Sequence, residues 1–252
     1  MRLAIFKQEW KESWRNKRLI WVPIALMLLA AMQPLTLYFL PDILASSGNL
    51  PDGAVIEIPT PSPEEVLMSA SEQLRQIGLL VMLLSAMHTF SHERSLGTLA
   101  WLKSLKIPAT RIVLSKWGHY SLLAVVAIGL AQLSAVYYTI VLFDSFDVTD
   151  FLIATGLLML HFVVQLSIFF LFAALLESGL VALVITLGLH FIMSLLIGWL
   201  EWDWMPWRLG SLSAEVLMGE SLLVWPIVSS LLLIGVTLFV ASKRLLFMSR
   251  SS

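Results

Sequence analysis

Six apolar runs, about 19–40, 74–90, 117–142, 151–175, 180–200 and 222–241, leave this chain few ways to fold, because each can cross roughly 30 Å of hydrocarbon as a helix. Inside lipid no water bonds to a backbone amide or carbonyl, so a spanning segment must be an α-helix or a strand of a closed barrel. Barrel strands alternate apolar and polar residues over about ten positions. Here both faces of each run are apolar, so helices are expected. With only 13% of 252 residues charged, little is left over for a soluble domain. The expected fold is all-α: one polytopic membrane domain, 1–252, with six transmembrane helices.

Orientation follows from the basic residues. Residues 1–18, 91–116 and the tail after 242 hold 14 of the 16 Lys and Arg, and only Arg75 and Arg208 fall on the opposite side of a six-span layout. By the positive-inside rule both termini and the 91–116 loop face the cytoplasm. The opposite side carries 13 of the 17 acidic residues, so the near-neutral chain is strongly polarised across the membrane. The first apolar run is too long for the core of a cleavable signal peptide and is expected to stay in the membrane. The absence of cysteine excludes disulfides and thiolate metal sites.

In residues 1–18, Leu3, Phe6, Trp10 and Trp14 recur at helical spacing beside Lys7, Lys11, Arg15 and Arg18. That pattern suits a helix lying in the interface, in contact with membrane lipid. A plain positive flank that fixes topology is the compatible alternative. Pro34 is expected to kink the first span. In the proline-rich external segment 41–73, Ser62 is a candidate cap and Pro63 a candidate first helical residue. Between Trp199 and Trp225 the clustered tryptophans favour short interfacial or re-entrant helices over an open loop. About Leu176–Gly179 forms a tight turn with Glu177 as its only charge.

The cytoplasmic loop 91–116 is far longer than a turn requires. Leu99, Leu102, Leu105 and Ile107 make an apolar stripe, Lys103, Lys106 and Arg111 a basic one, and Pro108 disfavours helix at Ile107. A short amphipathic helix results, with Gly97 and Thr98 at its start. From these residues alone it is equally a docking element for a cytosolic partner or a solvated interfacial helix.

The string Glu93-Arg94-x-x-Gly97-Thr98-Leu99-x-x-Leu102, followed by Pro108, Arg111 and Lys116, resembles the pattern after the second span in permeases of the ABC type-2 exporter family. Ser95 departs from it, standing where many members carry an acid. The resemblance implies a coupling helix that inserts into a separate ATP-binding cassette subunit, in a bacterial cytoplasmic membrane. Glu93, Arg94, Gly97 and Thr98 would shape that helix, Leu99, Leu102 and Leu105 would face the partner or the core, and Glu177 would be a secondary contact. It also implies a second permease copy, as a homodimer or related heterodimer. ATP and Mg would be bound by the partner subunit; this chain itself would carry no cofactor, no metal and no catalytic residue, and no nucleic acid partner is expected. The chain has no G-x-x-x-x-G-K-[ST] string to cradle phosphates. The function so implied is outward transport, with an amphipathic peptide, antibiotic or lipid-like molecule as the favoured cargo. The alternative is a non-transporting sensor or assembly protein that docks a partner through the same loop.

Within the spans, His161, Gln165 and His190 are candidates for a substrate pathway, because an imidazole in hydrocarbon needs a partner. The simpler alternative is a neutral histidine bonded to a neighbouring carbonyl. His88 and His92 lie one turn apart, but no third metal ligand is evident. Enzyme readings fail on motif. His92-Glu93 lacks the second histidine of H-E-x-x-H, Leu176-Glu177-Ser178-Gly179 lacks the first glycine of G-x-S-G, and every Asp lies outside the spans.

Overall fold

The computed structural model describes residues 2–46, 59–90, 108–200 and 202–247. Among these, every regular element is helical: α1 (Arg2–Arg15), α2 (Arg18–Ser46), α3 (Pro63–Gln73), a π turn (Leu74–Gly78), α4 (Leu79–Ala86), α5 (Ala109–Leu142), α6 (Val148–Leu175), α7 (Gly179–Leu200), α8 (Arg208–Leu217) and α9 (Trp225–Phe247). By length and composition, five of them, α2, α5, α6, α7 and α9, are long and apolar enough to cross a membrane.

Helix ends follow local chemistry, and several differ from the sequence expectation. Lys17, at φ 55°, adopts the left-handed conformation that ends α1 and redirects the chain into α2. α2 runs on through Pro23, Pro34 and Pro41 to Ser46, past the expected end at 40. Each proline removes one amide donor, but the surrounding apolar stretch offers the remaining groups nothing better than helix.

A helix starts at Pro63 behind Ser62, as expected, but it runs on through α3, the π turn and α4, so the run expected at 74–90 is continuous with it. Its start is a capping box: Ser62 Oγ accepts from the Glu65 amide at 3.2 Å, and the Ser62 amide donates to Glu65 Oε2 at 2.8 Å. Ser62→Ala is expected to cost about 1 kcal/mol, read as a lower midpoint of thermal unfolding in detergent.

α5 begins at Ala109, directly after Pro108 in extended conformation. The expected 91–116 loop therefore gives up 109–116 to helix. Pro108 has no N–H to donate, so the helix starts after it rather than running through it. Asp147 caps α6 by accepting from the amides of Thr149 and Asp150. The Trp-rich segment forms the short helix α8, whose Leu209, Leu212, Val216 and Leu217 are buried.

α6 is the central helix: 72% of its most apolar window is buried, against 28–33% in the other four long helices. It packs against α5, α7, α8 and α9, while α2 lies along α5. Ring contacts fix the two ends of the bundle. Phe90, Tyr120 and Phe170 meet at the basic end, and Tyr38 meets Phe143 at the acidic end.

Candidate functional site

At the basic end the N-terminal helix is fastened to the start of α5 by a buried polar junction. Glu9 and Ser13 are four residues apart on one face of α1; Lys116, His119 and Tyr120 share one face of α5. Lys116 Nζ lies 2.5 Å from Glu9 Oε1, with side chains 2% and 6% exposed. Ser13 Oγ is 2.7 Å from His119 Nε2, and Arg18 Nη1 donates to the Tyr120 hydroxyl at 2.6 Å. Phe6 and Trp10 place ring edges against the His119 imidazole.

This corrects one expectation: Lys116 is not one of the solvent-facing basic residues of a loop, but a buried partner of Glu9. On α1, Glu9 and Ser13 are buried, while Trp10, which touches His119, and Trp14 stay 42% and 65% exposed, as suits indoles at headgroup depth. Glu9, Ser13, His119 and Tyr120 were missed as site residues. One signal was available, since Glu9 and Ser13 stand at helical spacing on one side of α1 and Lys7, Lys11 and Arg15 on the other.

The junction also holds the borders of the 91–107 segment. Phe90, the last residue described before it, is buried, packs on Phe170, and lies with its ring centroid 6.0 Å from Lys116 Nζ. Pro108 and Ala109 open α5 about two turns before Lys116. The helix on one border thus carries Lys116, and the residue at the other packs beside it. The expected coupling residues Glu93, Arg94, Gly97, Thr98, Leu99, Leu102 and Leu105 lie outside the described residues. Glu177 is exposed in the turn between α6 and α7.

The structure brings the other three candidates together. His161 and Gln165 on α6 meet His190 on α7, with Gln165 Nε2 3.2 Å from His190 Nδ1 and the imidazole centroids 5.3 Å apart. All three are at most 1% exposed. Both ring nitrogens of His161 and the Gln165 Oε1 are buried with no hydrogen-bond partner among the described residues. Such groups destabilise the fold unless something bonds to them. His161→Leu is expected to leave thermal stability unchanged or raise it by about 1–3 kcal/mol. A clear loss of stability in that variant would show instead that the imidazole makes a bond that helps to hold the fold.

No family model matches the chain. It is similar to the uncharacterized transmembrane protein YxlG of Bacillus subtilis (strain 168), 35% identical over 155 residues, which are 62% of this chain and 60% of that protein. The match thus spans less than two thirds of the relative's length. With five helices apolar enough to span a bilayer and a transmembrane relative, the chain is an all-helical membrane protein.

Proposed function

We propose that the chain is the membrane-spanning permease subunit of an ATP-binding cassette exporter, coupled to a separate ATP-hydrolysing subunit through the segment that begins at Ser91. In this reading the helical run from Pro63 to Ala86 supplies the second of six spans, both termini and the basic end face the cytoplasm, and a second permease copy completes the transporter. The cargo is amphipathic, in keeping with spans that carry few fixed charges.

One observation supports the reading beyond the Glu93-Arg94-x-x-Gly97-Thr98-Leu99 string. The elements bordering 91–107 converge on the Lys116–Glu9 pair, which also holds α1. A push on that segment would reach α4, α5 and α1 as one body, because a packed junction transmits strain rather than absorbing it. Lys116, the residue that closes the resemblance pattern, is the centre of the junction.

The test is co-purification. The reading expects the adjacent reading frame to encode an ATP-binding cassette protein; the full chain, expressed with it, should be recovered as a complex, and deletion of residues 95–106 should abolish the complex while the chain still inserts in the membrane. A complex that survives the deletion would overturn the coupling assignment, and a chain that recruits a signalling partner instead would favour the sensor.

A further inference from the structure

Only two basic residues fall on the acidic side of the chain, Arg75 and Arg208, and the fold brings both to one cavity of about 430 Å³. Arg75 reaches it from the π turn, Ser194 from the last turns of α7, and Trp207 and Arg208 from the start of α8, with Asp203 also in its wall. Space for Arg75 is made by Gly210: a Cβ there would stand 2.5 Å from Arg75 Cδ.

Both guanidinium groups are held from behind. Glu72 accepts from Nε and Nη2 of Arg75. Arg208 donates through Nε to Asp203 and through Nη1 to Ser211 and Glu215. Burial works against the Arg208 charge, but its bonds to Glu215 and Asp203 outweigh this and hold the group above its ordinary range. Among the described residues, Arg75 Nη1 and Arg208 Nη2 make no hydrogen bond, and Trp207 Nε1 is buried without one. Three N–H donors therefore surround a cavity and lack acceptors, which is the complement of a phosphate or carboxylate.

The charges narrow the choice. Two cations and the carboxylates of Glu72, Asp203 and Glu215 leave no surplus positive charge for a multiply charged anion. Asp203, 62% exposed at its side chain, is free on its outer side to meet a cation. Trp199, Trp202 and Trp204 nearby are exposed, as indoles at the lipid interface are.

We infer that this cavity binds a zwitterionic phosphodiester, of the phosphoethanolamine type, with its phosphate on Arg75, Arg208 and Trp207 and its ammonium towards Asp203. The inference does not depend on the transport proposal, and its test needs no ATP-binding partner. The full chain, purified in a phosphate-free detergent, is titrated calorimetrically with dihexanoyl phosphatidylethanolamine, with glycerophosphoethanolamine and with inorganic phosphate.

Saturable binding of either phosphodiester is expected, weakened roughly tenfold to a hundredfold by Arg75→Gln. Binding of the lipid alone identifies a membrane headgroup; binding of both identifies a site for the soluble group as well. Ser194→Leu, which fills the cavity and leaves every ion pair in place, should also abolish binding without lowering the melting temperature. No saturable binding of either phosphodiester, equal binding of inorganic phosphate, or wild-type affinity in a folded Ser194→Leu variant would overturn the inference.

Discussion

Glu9→Ala removes the carboxylate 2.5 Å from the Lys116 ammonium in a site where both side chains are almost wholly buried, and is expected to be among the most destabilising single changes in the chain. Breaking one side of a buried ion pair costs about 3–5 kcal/mol, because the remaining charge has given up its water and lost its closest compensation. Lys116→Met should cost a similar amount. The double variant Glu9→Met, Lys116→Met should recover most of the loss, since two apolar side chains of similar volume need no desolvation of charge.

The measurement is a double-mutant cycle on thermal unfolding of the full chain in detergent. Additive losses would show that the pair is not coupled, and the junction would then be a packing contact with polar atoms in it.

In the proposed transporter, Leu102→Pro is expected to separate docking from insertion. The sequence predicts a short amphipathic helix beginning at Gly97 and Thr98, where a proline would be tolerated, whereas at Leu102 it removes a bond from the interior. If the partner subunit binds that helix formed, about 3 kcal/mol of helix destabilisation becomes roughly a hundredfold loss in docking affinity. Membrane insertion should be unaffected. The readout is ATPase stimulation by permease in reconstituted vesicles, and stimulation at the wild-type level would count decisively against a coupling helix. Glu93→Ala is expected to act in the same direction through the junction with the preceding helix.

The long helices were legible because lipid permits so few alternatives: an apolar run such as 151–175 has to be helix, and it is. The His161–His190 pair was half legible. The tight turn at Leu176–Ser178 makes α6 and α7 antiparallel neighbours, so polar residues at comparable distances from it meet. The Lys116–Glu9 pair was not legible, since its partners stand 107 positions apart and counting charges treats every lysine near a span as facing solvent. Charge also hid how far back the second apolar run reaches. The helix start at Ser62 and Pro63 was legible, but Glu64, Glu65 and Glu72 kept that helix apart from the apolar run after it, although Glu65 completes the cap and Glu72 pairs with Arg75 along one helical rod. Likewise Arg75 and Arg208 stood out only as exceptions to a topology rule. Their convergence depends on how α8 folds back over α3, which no local pattern records.

The π turn at Leu74–Gly78 bears on how this chain tolerates length changes. In a regular α-helix, residues five apart point about 140° away from each other. Leu74 and Leu79 are nonetheless both fully buried, bridged by the bond from the Leu79 amide to the Leu74 carbonyl. The wide turn works as a vernier, letting two half-rods of different phase share one continuous helix, with the surplus taken up at exposed Gln76 and Ile77. A chain one residue shorter at Gln76 would close into unbroken α-helix and still be helical throughout. It would then have one half of the rod turned out of phase, either the half that buries Val66, Leu67 and Ala70 or the half that buries Met82, Leu83 and Ala86.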